Sequence, residues 1–287
     1  MAGILDGQVA IVTGAGRGFG RSIALRLAKE GAAVALVSRS QGQLDAVAGE
    51  IKAMGGRALA APADVTSHED VARAVKTAQI QLGPIDLLVN NAGVPGPFGP
   101  IWLADPDRWW SAQAVHIRAP VLFLHEVLPG MVQRKRGRVI LVSALAARMA
   151  AAYMSAYCTG KIAQSRIVEE VALETKEFGL SAFAIDPGFV FTGIAEETMN
   201  DPDAKRWLPG MVERLTQVST NPTGSGDLER CAQRCIDLAS GRYDGLSGRY
   251  MELADDLDAM LGGARPHWQA QTGLPPQPSP EQPATRR

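Results

Sequence analysis

Short apolar runs alternate with longer helical patterns along most of this 287-residue chain. Runs of about four to eight apolar residues, bounded by glycine or polar residues, predict strands that are buried on both faces. Seven such strands are predicted, over residues 8–13, 32–38, 57–65, 85–93, 137–144, 180–186 and 248–253. Strands that alternate with helices form a parallel sheet, because each connection crosses over through a helix. The sequence therefore predicts an α/β fold, a doubly wound parallel sheet with helices on both faces.

The helical patterns lie between these strands. Predicted helices cover residues 22–31, 42–56, about 68–83, about 108–135, about 153–178 and about 227–240. Ser67 is predicted to cap the third helix, because a serine oxygen before a helix accepts backbone N–H groups. The basic stretch "RKRGR" predicts a solvated helix end with a turn at Gly137. Residues 189–225 are predicted to be irregular and to cover a ligand site.

Composition limits the possible partners and surroundings. Hydrophobic residues make up 46% and charged residues 21% of the chain, and the formal net charge is -1. This balance supports a large core and argues against a nucleic acid or membrane partner. Three cysteines without paired spacing fit a reducing compartment and indicate no metal site. We expect a cytoplasmic protein with one domain over residues 1–261 and a Pro/Gln-rich tail over residues 262–287.

A glycine-rich stretch, "TGAGRGFG", follows the first predicted strand. The pattern G-x-G-x-x-G fails here because Phe19 occupies the last glycine position, but Gly14, Gly18 and Gly20 fit G-x-x-x-G-x-G. The first glycine permits a tight turn, the second lets the backbone approach a pyrophosphate, and the third lets the next helix pack closely on the sheet. The N-terminus of that helix then faces the anion. The loop predicts a Rossmann-like dinucleotide site.

The end of the second strand indicates which dinucleotide binds. A site that prefers NAD carries an acidic residue at this place, whereas this chain has Ser38 followed by Arg39. Arg17 lies in the glycine loop, and two guanidinium groups near one ribose can clamp a 2′-phosphate. The pattern therefore predicts NADP(H). The alternative is that Arg39 ends its strand in solvent and that NAD(H) is the cofactor.

Five further motifs follow the glycine loop: "ADV" at 63–65, "NNAG" at 90–93, a serine at the end of the fifth strand (Ser143), "YCTGK" at 157–161 and "DPGFVFT" at 186–192. In this order, the motifs give the chain a resemblance to the short-chain dehydrogenases/reductases in their single-domain form, over about residues 5–255. The resemblance implies a homo-oligomer, a dimer or a tetramer, whose long helices pack across subunit faces. The chain departs from many relatives in ending its seventh strand with "YMELADD".

Tyr157 and Lys161 are four residues apart in a predicted helix, so their side chains share a face. A nearby ammonium favours the phenolate and lowers the pKa of a tyrosine from its usual value near ~10. Tyr157 can then exchange a proton with a carbonyl or alcohol oxygen while a hydride moves to or from a nicotinamide. Ser143 can hydrogen-bond the same oxygen. The alternative is that Tyr157 and Lys161 are an ordinary pair on an exposed helix.

The resemblance also implies the residues that hold the cofactor. Lys161 is implied to bind the hydroxyls of the nicotinamide ribose, and the segment after the sixth strand is implied to position the carboxamide. The predicted cofactor set is Gly14, Gly16, Arg17, Gly18, Phe19, Gly20, Ser38, Arg39, Asp64, Val65, Asn90, Asn91, Ala92, Gly93, Tyr157, Lys161, Pro187, Gly188, Val190 and Thr192.

One catalytic position departs from the family pattern. Relatives usually carry an asparagine in the long helix after the fourth strand, as part of a proton relay through water to the lysine. Here the matching stretch "VHIRA" contains His116. Two ring nitrogens can donate and accept hydrogen bonds, so His116 is predicted to join the catalytic group. The alternative is a histidine with no part in the relay.

Together these features predict an NADP(H)-dependent oxidoreductase that interconverts a ketone, or an aldehyde, and an alcohol. Aromatic and methionine side chains in residues 189–225 and near Tyr157 indicate a bulky apolar substrate. The first alternative is an NAD(H)-dependent alcohol dehydrogenase that works oxidatively. The second is a catalytically silent nucleotide-binding regulatory protein, against which the intact Ser143, Tyr157 and Lys161 argue.

Overall fold

A seven-stranded parallel sheet forms the centre of the computed structural model, which describes residues 3–220 and 225–263. The strand order is β3-β2-β1-β4-β5-β6-β7, and every neighbouring pair is parallel. The strands are β1 (Val9–Thr13), β2 (Ala33–Ser38), β3 (Ala58–Pro62), β4 (Leu87–Asn90), β5 (Gly137–Val142), β6 (Leu180–Ile185) and β7 (Tyr250–Met251). The predicted doubly wound parallel sheet is confirmed.

Helices cover both faces of the sheet. They are α1 (Gly18–Lys29), α2 (Gln41–Ala53), α3 (His68–Gln81), α4 (Pro106–Gln113), α5 (Ala119–Arg134), α6 (Ser155–Thr175), α7 (Gly193–Asn200), α8 (Pro202–Trp207), α9 (Pro209–Thr220), α10 (Ser225–Ala239) and α11 (Leu257–Leu261). Helices α1, α2 and α10 pack on one face, and α3, α5 and α6 pack on the other. The predicted cap of α3 is present, since the Ser67 hydroxyl accepts the N–H of Asp70 at 3.3 Å.

Two hydrophobic cores sandwich the sheet. On one side, Leu27 of α1 and Ile236 of α10 meet inward side chains of the strands. On the other side, Phe123 of α5 and Val168 of α6 do the same. Strands buried on both faces have continuous apolar sequences, such as "VAIV" in β1, and this explains why they could be recognised.

The chain changes direction between β1 and β4. From β1 it proceeds outward through β2 and β3, and it then returns to β4 beside β1 and continues to the other edge. A crevice opens at such a switch point, outside the carboxyl ends of the strands. Asn91 ties its two sides together, because its side-chain amide donates to the carbonyl of Thr13 and its backbone N–H donates to the Thr13 hydroxyl, each at 2.9 Å.

The prediction that residues 189–225 are irregular is wrong for most of that segment. Helices α7, α8 and α9 occupy it, joined by short turns. The carboxylate of Asp201 caps α8 by accepting the N–H groups of Asp203 and Ala204, and Pro202 starts the helix. Helices α7 and α8, of eight and six residues, leave too few turns for a clear apolar period, whereas α9 has twelve residues. Residues 221–224 lie outside the described residues.

Two local predictions about the helix before β5 also need correction. The turn lies at Lys135, which has a left-handed backbone with a φ of 52°, and Gly137 is already in β5. Arg138 is not solvated, because it forms a bidentate ion pair with Asp244. The predicted continuous helix is instead two helices joined by a π-helical turn over Ala114–Arg118.

The remaining expectations about chain organisation concern its ends and surroundings. Residues 264–287, most of the predicted tail, lie outside the described residues, so the division at residue 261 stays a prediction. Among the described residues, no helix has the length and hydrophobicity needed to cross a bilayer. The three cysteines are unpaired, and both Cys231 and Cys235 are buried in α10.

Candidate active site

A cavity of about 960 Å³ lies along the carboxyl edge of the sheet, over the crevice between β1 and β4. It is bounded by the glycine loop, the ends of β2, β3 and β4, and the start of α7. Thirteen predicted cofactor residues line it: Gly14, Gly16, Arg17, Gly18, Phe19, Ser38, Arg39, Asp64, Val65, Asn91, Ala92, Gly93 and Thr192. The structure thus brings together residues from four separate motifs around one elongated space.

The glycine loop has the backbone that its sequence predicts. Gly14 and Gly18 adopt positive φ angles of 64° and 55°, which side chains rarely tolerate. Helix α1 starts at Gly18, so its free N–H groups face the cavity. Gly20 permits the close packing of α1, because a Cβ there would overlap the carbonyl oxygen of Gly14 and lie 2.6 Å from the Asn91 amide. The loop fits a pyrophosphate bound against bare backbone.

At one end of the cavity, polar groups surround the space expected for an adenosine ribose. The Ser38 hydroxyl is buried without a hydrogen-bond partner, and the exposed Arg39 lies beside it. Arg17 also lines the cavity, but its guanidinium forms an ion pair with Glu197 of α7 at 2.6 Å. An unpaired buried hydroxyl in a cavity is a group that a ligand can satisfy. These residues fit a dinucleotide.

Several predicted cofactor residues do not line this cavity. Asn90 is buried in β4 and turns away from the space that Asn91 lines. Gly188 has a φ of 83°, and the carboxylate of Asp227 fills the place that its Cβ would take. The others outside the cavity wall are Gly20, Tyr157, Lys161, Pro187 and Val190. Contact of these residues with a cofactor stays a prediction.

Three of the predicted catalytic residues are linked by short contacts close to Gly93, which is part of the cavity wall. The Lys161 Nζ is 3.8 Å from the position that a Cβ of Gly93 would take and 5.7 Å from the ring centre of Tyr157. The buried Ser143 hydroxyl donates to the backbone carbonyl of Lys161 at 3.1 Å. The carbonyl of Val142, the last residue of β5, accepts from Nζ at 2.9 Å. The strand end therefore fixes the lysine beside the tyrosine.

The comparisons with known proteins agree with this geometry. A family model described as short chain dehydrogenase matches residues 8–203. A short chain dehydrogenase of Pseudocercospora fijiensis (strain CIRAD86) is 34% identical over 264 residues, which span 90% of this chain and 84% of that protein. The chain belongs to the short-chain dehydrogenase family. It is thus a member of an oxidoreductase family that uses nicotinamide dinucleotides.

Solved structures of similar chains contain either cofactor. A gluconate 5-dehydrogenase from Burkholderia cenocepacia J2315, in complex with NADP and tartrate, is 26% identical with a TM-score of 0.73 over 86% of this chain and 94% of that one. A 7α-hydroxysteroid dehydrogenase, complexed with NADH and 7-oxo glycochenodeoxycholic acid, is 26% identical with a TM-score of 0.74 over 86% and 93%. The likeness therefore leaves the choice of cofactor to this chain's own residues.

The charges in this short-chain dehydrogenase differ from the simple expectation for a tyrosine–lysine pair. Burial lowers the pKa of Lys161 to about 7, so about half of the lysine is neutral near that pH. Burial, and then the negative charge of Asp186, raise the pKa of Tyr157 above its usual value. The net direction is thus opposite to the lowering that was expected from Lys161. The phenol is held in its protonated form, in which it can donate a proton.

His116 lies in the π-helical turn with its ring fully buried against the edge of the Tyr157 ring, the two centres 5.6 Å apart. Its Nε2 is 2.9 Å from the carbonyl of Val94, so this nitrogen carries the proton and donates it. Burial, and then the charge of Lys161, lower the pKa of His116 to about 3. The ring is neutral at ordinary pH, and its predicted part in a relay stays a prediction.

Asp186 is an acidic residue of the site that the sequence analysis did not single out. It follows β6 in "DPGFVFT", and its carboxylate accepts the N–H groups of Gly188 and Leu145, which belong to the two loops after β6 and β5. Burial, and then the charge of Glu252, raise its pKa to about 6. Its place at a strand end, like that of Ser143, was the signal available in the sequence.

The described residues contain one grouping of possible metal ligands, at the surface between α3 and α5. His68 of α3 lies near His125 and Glu126 of α5, with 3.0 Å between the Nε2 of His68 and a Glu126 oxygen. This contact is an ion pair whenever His68 is protonated. The expectation of no metal site stays a prediction.

Replacement of Gly20 by alanine tests the close approach of α1 to the glycine loop. We expect Gly20→Ala to lower the free energy of unfolding by about 1–3 kcal/mol, because the new methyl group forces the two backbones apart. Gly49→Ala in α2 is the matched control, since nothing lies within 4 Å of its Cβ position. Urea denaturation of both variants checks this, and equal stability of Gly20→Ala and wild type would contradict the described packing.

Replacement of Asp186 by asparagine tests its electrostatic effect. The Asp186 charge raises the pKa of both Tyr157 and Lys161, so its loss lowers both. Asp186 is ionised above about pH 6. In that range, we therefore expect the pH profile of kcat/KM to shift to lower pH by about one unit. Asp45→Asn is the control, since this exposed aspartate of α2 is not among the charged groups that act on Tyr157, Lys161 or Asp186. A profile that stays in place in Asp186→Asn rejects the assignment.

Proposed function

We propose that this chain is an NADP(H)-dependent oxidoreductase that interconverts a ketone, or an aldehyde, and the corresponding alcohol, with Tyr157 as general acid and base. One observation carries the proposal. The buried Nζ of Lys161 lies 5.7 Å from the centre of the Tyr157 ring and 3.8 Å from the position that a Cβ of Gly93, a residue of the cavity wall, would take. This arrangement sets a proton donor beside the part of the cavity where we propose that a nicotinamide lies.

The chain's own residues supply the acid–base part of the reaction. In reduction, the substrate carbon receives a hydride and its oxygen receives a proton, which together make the alcohol. The nicotinamide, when bound, supplies the hydride. Tyr157 donates the proton, and its raised pKa keeps the phenol protonated beforehand. Ser143 can turn its hydroxyl from the Lys161 carbonyl toward the substrate oxygen.

The preference for NADP(H) rests on the adenosine end of the cavity. Ser38 stands where an acidic residue would repel a 2′-phosphate, and its hydroxyl is free to bond it. Arg39 lines the same end and is exposed. Arg17 is the second cation, although it must exchange its ion pair with Glu197 to reach a phosphate. NAD(H) is the second candidate, favoured by the NADH complex of the similar hydroxysteroid dehydrogenase.

The proposed substrate is bulky and apolar. Large side chains near the catalytic group are exposed, namely Leu145, Met149, Tyr153 and Phe189. The Trp207 ring of α8 lies 5.3 Å from the Tyr153 ring. Helix α8, in the segment predicted to cover the site, therefore reaches this surface. Arg148 and Arg206 are the candidate partners for a substrate anion, if one exists. Arg148 is already paired with Glu252 at 2.9 Å, whereas Arg206, which stacks on Trp207, is exposed and keeps its N–H donors.

We also propose a homo-oligomer in a cytoplasmic location. The long helices α5 and α6 expose Val121, Ile162 and Leu173, which are apolar side chains that a subunit contact would cover. The cysteines at 158, 231 and 235 are unpaired, as expected in a reducing compartment.

Replacement of Tyr157 by phenylalanine tests the mechanism. We expect kcat/KM with NADPH and a panel of apolar ketones to fall by about 10²–10⁴, because the proton donor is lost. NADPH binding, followed by fluorescence, should change by less than about threefold, since the ring remains. Tyr243→Phe, at a tyrosine beyond α10, should retain activity. Full activity in Tyr157→Phe would show that another group donates the proton.

Replacement of Arg39 by aspartate tests the cofactor preference. We expect the ratio of kcat/KM for NADPH over NADH to fall by at least about tenfold, because a cation that attracts the 2′-phosphate becomes an anion that repels it. Arg57→Asp is the control. This exposed arginine precedes β3, so it lies at the amino ends of the strands, whereas the cavity lies at their carboxyl ends. An unchanged ratio in Arg39→Asp would remove Arg39 from the phosphate site.

A further inference from the structure

Gln164 is a buried polar residue that the mechanism above does not use. It lies on α6 one turn after Lys161, and it is almost completely inaccessible to solvent. Residues 157, 161 and 164 follow helical spacing, so Gln164 extends the face that carries Tyr157 and Lys161. A buried amide must find partners for both of its ends, and those partners show what it does.

The two ends of the Gln164 amide bind different partners. Its Nε2 donates to the backbone carbonyl of His116 at 3.0 Å, and its Oε1 accepts from the Lys161 Nζ at 3.3 Å. An ammonium only donates and a carbonyl only accepts, so a single orientation of the amide satisfies both contacts. Gln164 is thus a fixed bridge between Lys161 and the π-helical turn.

The carbonyl of His116 is available because of the sequence that follows it. In a regular α-helix, this carbonyl would accept the N–H of the residue four positions later. That residue is Pro120, which has no N–H. The π-helical turn ends at Arg118, two residues before Pro120, and the carbonyl of His116 accepts from the side-chain amide of Gln164 on α6.

Gly160 lets the two helices approach closely enough for the bridge to form. A Cβ at Gly160 would lie 2.6 Å from the Cβ of His116, so any side chain there would push α6 away from the π-helical turn. The imidazole of His116 fills the space instead and packs on Tyr157. Gly160, His116 and Gln164 therefore form one packed unit around Lys161.

Lys161 has three N–H donors, and the protein uses two of them. One donates to the carbonyl of Val142 and another to Gln164. The third is left for the side of Nζ that faces Gly93 and the cavity. We propose that Gln164 is a positioning residue, which holds the Lys161 ammonium beside Gly93 in the cavity wall and stabilises its protonated form. The proposal rests on the proposed function, in which Lys161 serves Tyr157 and the cofactor.

Other groups around Lys161 affect its charge as well. The phenol of Tyr157 lies on the same helix, the neutral His116 ring lies on the π-helical turn, and Asp186 follows β6. Asp186 raises the pKa of Lys161, whereas burial lowers it. A Gln164 oxygen that accepts from the ammonium acts in the same direction as Asp186. Its effect can be separated from theirs only by substitutions at residue 164.

Two substitutions at residue 164 should move the titration of Lys161 in opposite directions. Gln164→Met keeps the length of the side chain but removes the acceptor, so we expect the pKa of Lys161 to fall by about one unit. Gln164→Glu places a carboxylate beside the ammonium, so we expect the pKa to rise by about one unit. The readout is an NMR titration of protein labelled with ¹³C at the lysine Cε, in which Lys161→Met assigns the signal.

The matched control is Gln113→Met. Gln113 is a buried glutamine that also bonds a backbone carbonyl of α6, that of Ala156 at 2.9 Å, and the structure gives it no bond to Lys161. We expect the Lys161 titration to stay in place in this variant. Opposite shifts at residue 164 with none in the control support the proposal. Shifts of the same sign in both Gln164 variants, or no shift in either, would overturn it.

The pH profile of kcat/KM gives the second readout. The limb that reports Lys161 should shift with the NMR titration, to lower pH in Gln164→Met and to higher pH in Gln164→Glu. A merely structural loss would lower kcat without shifting this limb along the pH axis. The NMR readout needs neither turnover nor cofactor. If no carbonyl is reduced by wild type, the proposed function fails, and the titration still decides the role of Gln164.

Discussion

All seven strands of this protein point the same way, and this single constraint places the site. In a parallel sheet every carboxyl end lies at one edge, so the residues that follow the strands come together although they are far apart in sequence. Gly14 follows β1, Ser38 ends β2, and Ser143 follows β5. The reversal of strand order between β1 and β4 opens the crevice between them, and the cavity lies over it.

The chemistry depends on a charged group held inside this edge. A buried ammonium is costly unless it is hydrogen-bonded, and here the carbonyl of Val142 and the amide of Gln164 both accept from Lys161. Even so, burial brings its pKa to about 7. The lysine is therefore close to the balance between charged and neutral forms, where small changes in its surroundings have a large effect. Asp186 is one such influence, and the bridge to the π-helical turn is another.

The sheet could be predicted from the sequence because strands buried on both faces leave continuous apolar runs, and because glycines with positive φ leave a recognisable loop. The positions of Ser143, Tyr157 and Lys161 also followed from local spacing. Helices α7 and α8 were missed, since each is too short to show a period, and α8 is fixed by its cap at Asp201. Helix α9 was missed although its twelve residues match the length of α1. The π-helical turn was also missed. Its signal in the sequence was Pro120, which lacks the N–H that the carbonyl of His116 would accept in a regular α-helix.

The electrostatics of the site could not be read from the sequence. Spacing alone suggested that Lys161 lowers the pKa of Tyr157, but burial, and then the charge of Asp186, raise it. Burial depends on how loops from separate strands close around a side chain, which no local pattern records. In the same way, the ion pair of Arg17 with Glu197 joins residues 180 positions apart in the sequence. Arg17 was predicted from its loop, and its partner was not.

The central claim is that the carboxyl edge of the sheet holds a dinucleotide whose nicotinamide end reaches Lys161. A crystal structure of the chain with NADP⁺ tests it most directly. The account predicts the pyrophosphate against Gly14–Gly20, the 2′-phosphate at Ser38 and Arg39, and the nicotinamide ribose within hydrogen-bond distance of the Lys161 Nζ. A dinucleotide bound elsewhere, or one whose ribose leaves Lys161 without contact, would contradict it.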